Sequence, residues 1–212
     1  LNVLLGRFEQ AAKDLDAAQA LKNELPAVFL HRAALSFKQA HFDEAQDNAA
    51  RFEKINPDSP IGPALRSILA ARCGDAAAAQ GALGEALARS QEGWIFALRG
   101  RLRASQAELQ GAREDFDRAI QDEKTPWVRA ERADILNRIG AFLPALAELR
   151  RLARQLPEDP LPHARMASIY LQQARFKPAT ESYGQAIRRN PKNSALYHAR
   201  AQVYFIQGSY RH

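Results

Sequence analysis

Five histidines, a single cysteine and two closely spaced carboxylates are the side chains of this chain best suited to acid–base, nucleophilic or metal chemistry. His31, His41, His163, His198 and His212 could serve as bases or ligands. None is framed by a His-Glu-x-x-His spacing, a nucleophile elbow or a glycine-rich phosphate loop. Cys73 stands alone, which rules out an internal disulfide and a Cys-x-x-Cys zinc site. Glu131 and Asp134 fall on one face of a helix, but two carboxylates make a thin oxygen site for a cation, and a solvated face is the preferred reading. The chain is therefore read as not an enzyme, with no metal or cofactor expected.

The elements that would position any such side chain repeat along the sequence. Seven junctions align: Gly6-Arg7-Phe8, Ala40-His41-Phe42, Gly74-Asp75-Ala76, Ala107-Glu108-Leu109, Gly140-Ala141-Phe142, Ala174-Arg175-Phe176 and Gly208-Ser209-Tyr210, spaced by 34, 34, 33, 33, 34 and 34 residues. A small residue, a polar one and then a bulky one suit a tight turn between helices, because the small residue tolerates unusual backbone angles. Three residues after the bulky position stands alanine in each of the first six units: Ala11, Ala45, Ala79, Ala112, Ala145 and Ala179. Two helices can cross closely only where a methyl-sized side chain lies between them.

One turn further on come Leu15, Ala49, Leu83, Phe116, Leu149 and Tyr183, then Ala18, Phe52, Ala86, Ala119, Leu152 and Ala186, the apolar stripe of an amphipathic second helix. First helices carry their own small position at Ala33, Ser67, Gly100, Ala133, Ala167 and Ala201. Ser59-Pro60, Thr125-Pro126 and Asp159-Pro160 mark helix starts. Pro57, Pro157 and Pro191 stop the second helices.

This pattern resembles the tetratricopeptide repeat. The resemblance spans nearly the whole chain, with repeats over residues 26–59, 60–92, 93–125, 126–159 and 160–193 and partial repeats at 1–25 and 194–212. Residues 1–6 read as the end of a helix already under way, so a piece of a longer protein is expected. The third unit matches least well, with Ala76 where an aromatic is usual. The resemblance implies an all-α fold, a single α-solenoid of antiparallel helix pairs wound into a right-handed superhelix, with first helices lining a concave groove for a peptide or partner helix.

Carried onto this sequence, the groove positions are Leu30, His31 and Phe37, then Ile61, Leu65 and Ile68, then Trp94, Leu98 and Arg101, all largely apolar, followed by the polar set Trp127, Glu131, Asp134 and Arg165. Ala64 and Ala97 fall in the same mapping. A partly apolar protein or peptide partner is expected; the alternative is that these residues only pack first helices together. The Lys and Asn of the family's carboxylate clamp are absent, since the corresponding pairs are Leu30/Ala34, Ala64/Ile68, Ala97/Arg101 and Ala130/Asp134.

Arg32, Arg66, Arg99, Arg132 and Arg200 recur at one first-helix position. A basic ladder for an acidic polymer is one reading; pairing with second-helix carboxylates such as Asp115 and Glu148 is preferred, because a half-buried charge needs a partner. The formal charge of +6 is scattered, with no continuous basic face interleaved with aromatics, so nucleic acid is not expected as a partner. No run approaches the roughly 20 apolar residues of a membrane span. Two function classes remain: a non-catalytic interaction scaffold, and a spacer region of a bacterial envelope or exopolysaccharide-export machine, with periplasm and cytoplasm both open. The unpaired last helix, with Tyr197, Ala201 and Tyr204, leaves self-association through that end as a further expectation.

Overall fold

The computed structural model describes residues 7–21, 25–121 and 126–208; residues 1–6, Thr125 and the Ser209-Tyr210 half of the last junction lie outside them. Twelve α-helices and no strand occur among the described residues: α1 (Phe8–Leu21), α2 (Pro26–Lys38), α3 (Phe42–Ile55), α4 (Ile61–Arg72), α5 (Ala76–Arg89), α6 (Gly93–Ser105), α7 (Leu109–Ala119), α8 (Pro126–Arg138), α9 (Phe142–Gln155), α10 (Leu161–Gln172), α11 (Phe176–Arg189) and α12 (Ser194–Ile206). The chain divides into two compact units, Leu1–Leu102 and Arg103–His212, with the boundary inside α6. In each unit the helices follow one another as antiparallel pairs, the arrangement of an all-α solenoid.

The turns have one geometry. Ala40, Gly74, Ala107, Gly140, Ala174 and Gly208 all take positive φ, between 54° and 83°. In the first five the next residue's N–H then reaches back to the carbonyl five residues earlier, as His41 to Ser36 and Asp75 to Ala70, both at 2.9 Å, and Ala141 to Leu136 at 2.8 Å. This is a Schellman closure, which satisfies carbonyls that the helix end would otherwise leave open. Half of these positions are alanine, which resists the left-handed region that glycine enters freely. The third unit lacks the bulky residue after its turn, but the Asp75 carboxylate accepts from the Ala78 N–H at 2.9 Å and caps α5 instead.

Packing follows the small residues. Ala45, Ala79, Ala112, Ala145 and Ala179 are fully inaccessible and Ala11 nearly so. Around them Phe52, Leu83, Phe116, Leu149 and Leu152 are buried, each contributing roughly 1.5–3 kcal/mol through burial. Leu15 and Ala18 on α1 are half-buried. In the second unit the core runs through Leu136, Leu146, Leu149, Tyr170, Tyr183 and Val203. Of the first-helix small positions, Ala33, Ser67, Gly100, Ala133 and Ala167 are buried, whereas Ala201 on α12 is exposed together with Tyr197. Two of the proline-marked helix starts carry side-chain caps: the Ser59 Oγ accepts from Ile61 N–H at 3.3 Å and the Asp159 Oδ1 from Leu161 N–H at 2.9 Å. No helix among the described residues is long and apolar enough to cross a membrane.

Candidate functional site

In the first unit, α2, α4 and α6 present the apolar candidates. Leu30, Ile61, Leu65, Trp94 and Leu98 are half-buried and Ile68 is exposed. Phe37 is turned into its own hairpin, with its ring edge-on to Phe42 at 5.9 Å, and both Phe37 and Leu65 pack against Ala45, Ala49 and Leu69. His31 lies on the exposed side of α2, with Nδ1 2.6 Å from the Ala27 carbonyl oxygen. The Trp94 Nε1–H donates to Glu92 at 2.9 Å, which fixes the indole over the start of α6. Arg101 is exposed. Two further mapped positions are corrected by the structure: Ala64 and Ala97 are 3% and 0% exposed, because a methyl group there fills the crossing between helices and leaves nothing for a ligand.

In the second unit the candidates are polar. Trp127 is 40% exposed at the first turn of α8. Glu131 and Asp134 follow on the same face, and Arg165 of α10 reaches the Asp134 carboxylate at 3.0 Å. Burial raises the Asp134 carboxyl above its ordinary value, the Arg165 charge lowers it and nearby Glu131 raises it again. The Asp134 carboxylate is thus answered by a guanidinium, and no group of three potential metal ligands occurs among the described residues. Arg103 on α6 holds the Asp115 carboxylate at 2.9 Å, 1% exposed. The long Arg103 side chain thus crosses its own hairpin to a second-helix carboxylate, as Arg132 does to Glu148.

The ladder arginines brace the helix layers. Arg32 binds Asp16 at 2.6 Å; Arg66 binds Glu53 at 2.9 Å and also Glu85; Arg132 binds Asp117 at 2.5 Å and Glu148 at 3.0 Å. Each of the last two links its own repeat's second helix to the second helix before it. Arg99 stacks over Phe96 at 5.5 Å. Arg89 and Arg189, ten residues after their crossing alanines, clamp the preceding loops through the carbonyls of Ser59 at 3.0 Å and Pro157 at 2.6 Å. These contacts make the recurrence a structural device in three repeats.

No family model matches the sequence, and no curated protein does. Solved structures do match. A chain of the APC/C hetero-tetramer Cut9–Hcn1 aligns over 95% of this chain at 11% identity, with a TM-score of 0.80; this chain spans 41% of its length. PilW, a type IV pilus biogenesis factor, aligns over 88% of this chain and 87% of its own at 16% identity, with a TM-score of 0.78. YrrB, a TPR protein with an unusual peptide-binding site, aligns over 88% of this chain and 97% of its own at 16% identity, with a TM-score of 0.64. The chain has the tetratricopeptide-repeat fold.

Within these tetratricopeptide repeats, one surface residue escaped the sequence reading. Leu161, 41% exposed at the start of α10, falls at the same repeat position as Ile61, Trp94 and Trp127, from which it differs by 33 or 34 residues per step. Its signal was in the sequence, in the recurrence of a large apolar residue at the first turn, but Pro160-Leu161-Pro162 reads first as punctuation. A second feature had no sequence signal of its own. In the first unit a cleft of about 380 Å³ opens between α3, α4 and α5, with Ala50, Leu69, Ala78 and Ala82 as walls and Arg66 at its edge. Small residues on three helices leave that space.

Proposed function

We propose that this chain is a non-catalytic scaffold that holds a peptide or helix of another protein along the exposed faces of its first helices. The carrying observation is the row of large apolar residues at one repeat position, Ile61 and Trp94 in the first unit and Trp127 and Leu161 in the second, partly or largely open to solvent. Recurrent apolar side chains on a helix surface are poor solvents' neighbours and good anchors, aromatic ones above all. Leu30, Ile68 and Leu98 extend the apolar surface of the first unit, and His31, Phe37, Leu65 and Arg101 frame it. Glu131, Asp134 and Arg165 supply a polar, mixed-charge surface in the second. The partner is accordingly an amphipathic segment with an apolar end. The peptide-binding site named for YrrB agrees with this reading.

The test is selection of peptides from a random displayed library on the full chain, with each binder measured against an Ile68→Glu, Leu98→Glu variant. Binders rich in apolar residues should lose at least tenfold in affinity, about 1.4 kcal/mol, while the circular dichroism stays unchanged. Equal affinity for the variant would discard the groove.

The second reading, a spacer in a bacterial envelope assembly, draws on the fold likeness to the pilus biogenesis factor PilW. It predicts that the groove variant still supports assembly in the native host, where the scaffold reading predicts failure.

A further inference from the structure

The ladder arginines Arg32, Arg66 and Arg132 are met by a carboxylate from the preceding second helix, whereas Arg99 and Arg200 find glycine, Gly84 and Gly184, at the corresponding place. Asp16 and Asp117, which hold Arg32 and Arg132, each stand five residues after a crossing alanine. Arg66 finds alanine at that place and is served by Glu53, three residues further on. At Arg200 the equivalent residue is Gly184 and the one three further on is Ile187. The slot in which a carboxylate would lie has no side chain at all.

Two guanidinium groups converge on that slot. A Cβ built on Gly184 would lie 3.9 Å from Arg188 Nη1 and 4.0 Å from Arg200 Nη1. Among the described residues neither arginine has a carboxylate within ion-pair distance; Arg200 stacks over the Tyr197 ring at 5.8 Å. At Gly184 and Arg188 a cleft of about 390 Å³ opens, lined by Thr180, Glu181, Gly184, Gln185, Arg188 and Tyr204. Residues 150–212 carry eleven Lys and Arg against three Asp and Glu, so the local field draws negative charge toward this end of the second unit.

We infer that the Gly184 cleft receives an aspartate or glutamate side chain from an acidic segment of a partner polypeptide, which completes in trans the ion pair that Asp16 and Asp117 complete in cis. A carboxylate placed at the slot is forked between two guanidiniums, the geometry in which charge-assisted hydrogen bonds are strongest. Glu181 at the lip repels a phosphate chain with a charge on every unit, and accepts a backbone N–H from a peptide that carries its charge on spaced side chains. This site uses α11 and α12 and none of the residues of the proposed groove, and goes beyond the scaffold reading; either can fail while the other stands.

The experiment is fluorescence anisotropy of the full chain with a labelled Glu-Ser-Gly repeat peptide, whose carboxylates are spaced. Binding should weaken steeply between low and moderate salt. Gly184→Asp installs the missing carboxylate in cis: it should weaken the peptide at least tenfold while the thermal midpoint stays at or above that of the parent. Gly184→Ala adds only a methyl group at ordinary contact distance and should keep affinity within about twofold. Arg200→Gln should lose at least tenfold, and the α9 variant Arg151→Gln, Arg154→Gln less than threefold. The assignment is overturned if the parent does not bind the peptide, if Gly184→Asp binds as well as the parent, or if the α9 variant loses as much as Arg200→Gln. Tighter binding of a duplex oligonucleotide than of the peptide at equal salt, abolished by Gly184→Asp, also overturns it in favour of nucleic acid.

Discussion

The first unit carries twelve basic and twelve acidic residues, the second eighteen and twelve, so the whole formal charge excess lies in the second. Yet both bury the same crossing alanines and close the same left-handed turns. Steric complementarity at the helix crossings thus sets the architecture, and charge is free to vary around it. The apolar first-helix surface in one unit and the basic outer cleft in the other are two uses of that freedom.

The comparison can be broken most directly in the cores. Phe116→Ala in the second unit should cost about 3–5 kcal/mol, and Leu83→Ala in the first about 2–5 kcal/mol, since both side chains are 1% exposed. Trp94 and Trp127 place one fluorophore in each unit, so urea unfolding followed on Trp94→Phe and Trp127→Phe backgrounds separates the two transitions. Phe116→Ala should move the transition reported by Trp127 further than the one reported by Trp94. Coincident shifts of equal size would show that the units unfold as one.

Arg103→Met should follow at about 3 kcal/mol, because it removes the guanidinium held 2.9 Å from the inaccessible Asp115 carboxylate. Arg66→Met in the first unit should cost no more than about 1 kcal/mol, since that guanidinium is 40% exposed and water replaces its partners. Chemical denaturation of the pair measures whether buried charge matters more in the basic unit. Smaller and opposite in sign, Ala40→Gly, Ala107→Gly and Ala174→Gly should each stabilise by about 0.5–1 kcal/mol by relieving a left-handed alanine. The part of that gain lost to the greater freedom of unfolded glycine should be equal in both units, and thermal midpoints of the three variants test that equality.

The smallest effect is a pH response confined to the second unit. Burial, then the charges of Arg189 and Arg188, lower the His163 pKa below its ordinary value of 6.5. The unfolded chain then binds the proton more readily than the folded one, so stability from this group is present above pH 6.5 and is lost as pH falls through the lower folded value. His163→Gln should flatten the decline of the thermal midpoint between pH 7 and pH 5; an unchanged slope would assign the decline to other groups.

The repeat, its helix pairs and the crossing alanines were legible in the residues, because a steric rule applied at a fixed period leaves the same small side chain at the same place. The ladder arginines were legible as needing partners. Which carboxylate answered each one was not: Arg32 and Arg66 reach back to Asp16 and Glu53 of the preceding second helix, and only helix orientation decides that. Leu161 was hidden between two prolines, and the burial of Ala64 and Ala97 depended on how the helices around them pack.

By itself the sequence determined the period, the order of helices and the positions where backbones come close, since these depend on side-chain volume and on local turn chemistry. Tertiary structure decided the ion pairs, the clefts behind the ladder and the convergence of Arg188 and Arg200 on Gly184. Those depend on distances between residues far apart in the chain, which are set by helix rotation and side-chain reach, and an absent side chain acquires meaning only from what surrounds it.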